Sequence, residues 1–273
     1  MMTVSGSVMR ILAASGLSVV LSILALVAVR STGVDLKDFR NRNRPAVLAI
    51  AAFFNLLFIL SVALLLRIWD QQPLSTLGFK TGKRDWLFAA FAMLVSVGLG
   101  MGWVTVLHRM KLLHLEPLKN RPFSNRSWYA ELLALVVLFI AALQEEILFR
   151  GYFSFVLLPY GFFYAMVISA ILFTVWHFLT NRAGMFQVLD WLIGGIMLFY
   201  IYFISGSVWV AALVHFSRNL TNVLVFNITG TSYLFSYEEP MKPSLKSAYT
   251  ILYSILLMAC GHFFFRTGLF AVF

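Results

Sequence analysis

Cysteine is almost absent from this chain: there is one, Cys260, among 273 residues. A single thiol excludes internal disulfides and any CxxC metal site. Cys260 lies in an apolar run and reads as a packing residue. Charge is nearly as scarce. Asp, Glu, Lys and Arg make up 12% of the chain, against about a quarter in soluble domains. Hydrophobic residues reach 61% and the mean hydropathy is +0.87, which excludes a soluble globular protein. Internal repeats and low-complexity tracts are missing too. So is period-2 alternation, which argues against a transmembrane barrel. Backbone groups in lipid must be satisfied within their own segment, so the long apolar runs that remain are helices.

Of the charges present, acids are the rarer sign, and the net charge is +10. The bases cluster in short connectors beside apolar runs. That is the pattern of membrane topology and lipid headgroups, and no nucleic-acid partner is expected. The sequence predicts an all-α polytopic membrane protein: a single transmembrane domain over 1–273, built as a bundle of about eight helices. The spans fall at 11–29, 45–67, 86–107, 135–158, 162–179, 185–204, 207–227 and 248–266. The first is too long for the apolar core of a signal peptide and is followed at once by a second span, so it is expected to stay as a helix. Residues 128–134 ("WYAELLA") read as a tilted or interfacial piece. Gly98, Gly100, Gly102, Gly194 and Gly195 are expected to permit close helix approach.

Basic residues set the orientation. Connectors after odd-numbered spans hold Arg30, Lys37, Arg40, Arg42, Arg44, Arg109, Lys111, Lys119, Arg121, Arg126, Arg182, Lys242 and Lys246. The other side holds Arg10, Arg67, Lys80, Lys83, Arg84 and Arg266. The richer side should be cytoplasmic, with both termini on the opposite face. The expected location is the plasma (inner) membrane of a prokaryote.

Ionisable residues within spans are costly and mark function by default. Here they are Glu145, Glu146, Arg150, His177, Asp190, His215 and Arg218, with Asn219 beside them. Glu145 lies about ten residues into its span, or roughly 15 Å at helical rise. His177 falls near the cytoplasmic mouth. His215 and Asn219, four apart, share one helix face. Three helices thus aim polar groups into the same half of the bundle. Neighbouring residues on a helix point about 100° apart, so the adjacent glutamates need different jobs. Glu146 and Arg150 have the favoured i,i+4 order for an ion pair and are assigned to structure, which leaves Glu145 for chemistry. Arg218 is expected to snorkel toward headgroups. Asp190 reads as either a supporting partner or a cavity lining. His108, His114 and His262 have no companion motif. Each of the others also has an ordinary reading when taken alone, as a protonated buried acid, a satisfied interhelical histidine or interhelical glue.

Together, "EEILFRG" (145–151), "FTVWH" (173–177) and "HFSRN" (215–219) have the form EExxxR, FxxxH and HxxxN, in that order. In this the chain resembles the CPBP family, the CaaX proteases and bacteriocin-processing enzymes also known as the Abi family. The resemblance covers residues 130–225, the catalytic helices. It implies an eight-helix intramembrane peptidase in which Glu145 is the general base and His177 helps hold the water. His215 and Asn219 would stabilise the oxyanion, with Glu146 and Arg150 supporting the site. It also implies a peptide or membrane-protein substrate, lipidated or not, reached from the cytoplasmic side among membrane lipids.

The chemistry suits the residues. A carboxylate in a dry cavity serves as a base and then as an acid, and amide and imidazole N–H groups suit an oxyanion. GxSxG is absent, so no serine nucleophile is read, and no cofactor motif is present. Two alternatives remain open. Two histidines and a glutamate could bind zinc, although HExxH is missing. The same cluster could also be a proton relay or binding site in a transporter or scaffold.

Overall fold

The computed structural model describes residues 3–34, 44–117, 128–180, 183–228 and 233–266. The connector bases Lys37, Arg40, Arg42, Lys119, Arg121, Arg126 and Arg182 lie outside them. The described residues form eight long helices, each matching one expected span. They are α1 (Val4–Ser31), α2 (Pro45–Leu64, continued by a wide π turn at Leu65–Trp69), α3 (Lys83–Arg109), α4 (Trp128–Glu146, continued through a π turn at Ile147–Tyr152 and a last turn at Phe153–Leu157), α5 (Phe162–Thr180), α6 (Met185–Ser205), α7 (Val208–Leu224) and α8 (Pro243–Arg266). Residues 128–134, read as a tilted or interfacial piece, form the start of α4 in unbroken helix. Two-residue strands, Leu115–Glu116 and Ser236–Tyr237, pair antiparallel and tie the connector after α3 to the one before α8.

The helix ends follow local chemistry. Thr3 caps α1 by accepting from the Gly6 N–H at 3.2 Å, and Pro45 sits at the first position of α2, where no N–H is needed. The Asp85 carboxylate accepts from the Gly82 N–H at 2.7 Å to start α3. The outward faces are as apolar as the interior: Leu12, Ile23, Leu94, Phe163 and Ile255 all stand exposed. Such a surface fits hydrocarbon rather than water. Among the described residues six helices are long and apolar enough to cross a membrane, so this is an integral, multi-pass membrane protein. The apolar part of α5 is shorter. The 17 residues of α7 include His215, Arg218 and Asn219, and those polar groups lower its hydropathy.

α7 is the element around which the rest is arranged. Val208, Ala211 and Ala212 join a core with Ile147, Phe153 and Phe199. Val210 and Val214 join a second core with Phe88, Met197 and Tyr253. Hydroxyls fix its far end: Ser96 Oγ lies 2.8 Å from Thr221 Oγ1, and Tyr249 donates to the Ser96 carbonyl at 2.9 Å. Of the five glycines expected at helix contacts, two serve that purpose. A Cβ at Gly100 would stand 2.8 Å from Thr221 Cγ2, and one at Gly195 would stand 3.1 Å from the Ala170 Cα. Gly98, Gly102 and Gly194 have nothing within 4 Å.

The connector between α2 and α3 folds back into the bundle. Leu77 is fully buried and Gly151 of α4 lies against it. Gly78 has φ +81°, and a Cβ there would come within 2.7 Å of the Gly206 carbonyl, so only glycine fits this turn. The Gly78 carbonyl accepts from the Val208 N–H at 2.9 Å, which joins the connector to the start of α7. Beside it, Asp70 pairs with Arg10 of α1 and accepts from the Tyr152 hydroxyl of α4 at 3.0 Å. This end of the bundle is therefore closed by an apolar plug and a three-way polar tie.

Candidate active site

The two acids lie at the end of the regular part of α4, where the backbone widens. In a π turn the hydrogen bonds run i→i+5 rather than i→i+4, and such turns recur at functional sites. Within the stretch Ile147–Tyr152 the Phe149 carbonyl accepts from two serine hydroxyls, that of Ser169 of α5, itself fully buried, at 2.9 Å and that of Ser154 at 3.4 Å.

Glu146 and Arg150 are both 0% exposed, and Arg150 Nη1 donates to Glu146 Oε1 at 3.0 Å. The expected i,i+4 pair is present. Nη2 of Arg150 donates to the Gly195 carbonyl at 3.1 Å, at the point where α6 has no side chain in the way. The guanidinium also lies 4.3 Å from the centre of the Phe173 ring, a favourable cation–π placement. Phe173 in turn meets the His177 ring at 4.3 Å and the His215 ring at 5.9 Å. The phenylalanine of FxxxH thus joins the ion pair to both histidines.

The two glutamates meet the same imidazole. Nδ1 of His215 is 2.8 Å from Glu146 Oε1, and its Nε2 is 3.8 Å from Glu145 Oε2. The same Glu145 oxygen is 3.6 Å from Nε2 of His177, whose Nδ1 lies 3.0 Å from the Phe173 carbonyl. Glu145 Oε2 is buried without a hydrogen-bond partner among the described residues. Asn219, one turn past His215, lines a cavity of about 100 Å³ together with His177 and His215. All six expected residues therefore gather at one place. Glu145 is not in that lining, but it faces both histidines that are.

The cavity lies toward the α5–α6 and α7–α8 connectors, at the end opposite the Leu77 plug. No group of three or more His, Cys, Asp or Glu side chains among the described residues is placed to hold a metal ion.

Residues 127–221 match the family described as Type II CAAX prenyl endopeptidase Rce1-like. Over this segment the chain is similar to the CPBP family. No curated protein and no solved structure matches it. The matched segment reaches from α4 into α7 and contains every expected site residue. The similarity supports a CaaX-type endopeptidase, with a peptide or protein substrate met in the membrane.

Two residues, Arg218 and Lys246, have positions that their sequence context did not indicate, whereas Asp190 lines the cavity, one of its two expected roles. Arg218 does not snorkel outward. It donates to Asn222 Oδ1 at 2.6 Å and to Thr250 Oγ1 of α8 at 2.7 Å, and lies over the Tyr249 ring. Lys246 read as a connector base, but α8 starts earlier than expected, and Lys246 and Asp190 line the same cavity as the histidines. The available signal was spacing: Arg218 is three residues from His215, and Lys246 is four from Thr250.

Proposed function

We propose that this chain is a metal-independent glutamate peptidase, hydrolysing a peptide bond near the cytoplasmic face of a prokaryotic plasma membrane. The observation that carries the reading is Glu145 Oε2: buried, without a hydrogen-bond partner among the described residues, and within 3.6 and 3.8 Å of two histidine Nε2 atoms. In this reading a water held between Glu145 and His177 gives a proton to Glu145 and attacks the scissile carbonyl carbon. The resulting oxyanion accepts hydrogen bonds from His215 and the Asn219 amide. Glu145 then passes its proton to the leaving nitrogen, and the C–N bond breaks. His215 donates through both nitrogens, to Glu146 at Nδ1 and to the oxyanion at Nε2. Glu146 fixes the ring, and Arg150 offsets the charge of Glu146 in a site where an unpaired ion would be costly. The cytoplasmic orientation is supported by the excess of bases in the connectors on the cavity's side.

Purified protein in detergent, incubated with farnesylated CaaX peptides and with unmodified membrane-segment peptides, tests this by mass spectrometry. Cleavage by the wild type, absent in Glu145→Ala and indifferent to a strong chelator, is the expected result. Activity lost to the chelator and restored by zinc would sink the metal-free mechanism. Cleavage surviving in Glu145→Ala would remove Glu145 from its role.

A further inference from the structure

The cavity that holds His177, His215 and Asn219 continues to Arg218 and Lys246, two cations that the six-residue mechanism leaves unused. They come from different helices and are brought together by the Arg218–Thr250 hydrogen bond, since Thr250 is one turn along α8 from Lys246. Asp190 is the acid in the same lining and acts electrostatically on both cations. Two cations facing one carboxylate leave an excess positive charge. The ammonium of Lys246 makes no hydrogen bond or ion pair among the described residues. Positive charge within a partly buried cavity favours an anionic occupant.

Resting on the peptidase reading above, we propose that Arg218 and Lys246 form a carboxylate-binding subsite that anchors the C-terminal carboxylate of the peptide substrate. A CaaX segment is a chain end, so a bond cleaved within it always has a free carboxylate a few residues away. Arg218 lies about 4.5 Å of axial rise beyond His215 on α7. With side-chain reach added, that is on the scale of the about 10 Å that three extended residues span. Arg218 is held by Asn222 and Thr250 and gives the subsite its fixed charge. Lys246 supplies the free donor. The subsite would thereby select for distance from the chain end rather than for sequence.

Equilibrium binding to full-length Glu145→Gln in detergent tests this directly, by fluorescence anisotropy. Three labelled peptides are compared: one sequence as free acid and as C-terminal amide, and that amide with its last residue replaced by aspartate. The free acid should bind about 10-fold or more tighter than the amide, the scale of a charge-assisted hydrogen bond. Lys246→Met should bring that ratio close to one, and Lys246→Arg should keep most of it. Wild-type cleavage should show the same preference as a higher KM for the amide with kcat little changed. Equal binding of acid and amide, or a preference that survives Lys246→Met, would overturn the subsite. Tight binding of the aspartate amide would overturn the C-terminal assignment in favour of an acidic side chain. If no peptide is cleaved but the Lys246-dependent preference persists, the peptidase reading fails and the subsite stands.

Discussion

Nδ1 of His215 lies 2.8 Å from Oε1 of Glu146, and that oxygen also receives Arg150 at 3.0 Å. The second acid of the EE pair therefore orients the histidine that the first acid faces. This division of labour predicts different outcomes for two similar substitutions. Glu145→Gln keeps the shape and removes the base. It should lower kcat by about a thousandfold while leaving the thermal midpoint in detergent unchanged. A fall in activity that tracks a fall in stability would show Glu145 to be structural instead.

Glu146→Gln and Arg150→Met should act mainly through stability. Removing one partner of a buried pair leaves an uncompensated charge, at a cost of about 3–5 kcal/mol. Each single variant should show a clear drop in thermal midpoint. The double variant should lose less than the sum of the two, because neither charge is then left alone. Additive losses would show that the pair is not coupled.

Asn219→Ala tests the oxyanion assignment. Loss of one donor that acts in the transition state should reduce kcat by about 100-fold to 1,000-fold with KM nearly unchanged. An increase in KM alone would instead make Asn219 a substrate-binding group.

Ser169→Ala removes the hydroxyl that serves the Phe149 carbonyl. With only the longer 3.4 Å hydrogen bond from Ser154 left on that carbonyl, the loss should cost about 1 kcal/mol. A thermal midpoint equal to wild type would mean that the π turn needs no support from α5.

Gly100 and Gly98 form a matched pair on α3. Gly100→Ala places a methyl 2.8 Å from Thr221 Cγ2 and must push α3 from α7, whereas Gly98→Ala meets nothing within 4 Å. The first should lower the thermal midpoint. The second should hold or raise it, since alanine is the better helix former. Identical behaviour would remove close approach as the reason for glycine at 100.

The helices were legible because lipid imposes one rule on every backbone group, and a run of about 20 apolar residues satisfies it in only one way. The same rule hid Leu77. A leucine in a polar connector carries no span signal, and its burial depends on the Gly78 turn and on Val208 far along the chain. The start of α4 at Trp128, ahead of the expected span, was hidden because Glu131 interrupts the apolar run without interrupting the helix. Among the site residues, Glu145, His177, His215 and Asn219 stood out as polar groups in apolar surroundings. Lys246 did not, since a lysine near the end of a span reads as a topology marker until the start of the helix is known. The π turn gave no sequence signal either. Nothing local to "EEILFRGYF" distinguishes a wide turn from an ordinary one, and its support comes from Ser169 on another helix.

That wide turn limits how α4 can change length. It lies between Glu146, fixed by His215, and Tyr152, fixed by Asp70. Deleting one residue between them would swing every later side chain by about 100° and draw it back about 1.5 Å, so one of the two attachments would have to break. An insertion does the same in the opposite sense. The stretch can exchange one side chain for another, but it has no room for an insertion or deletion; variation in chain length has to fall in the connectors.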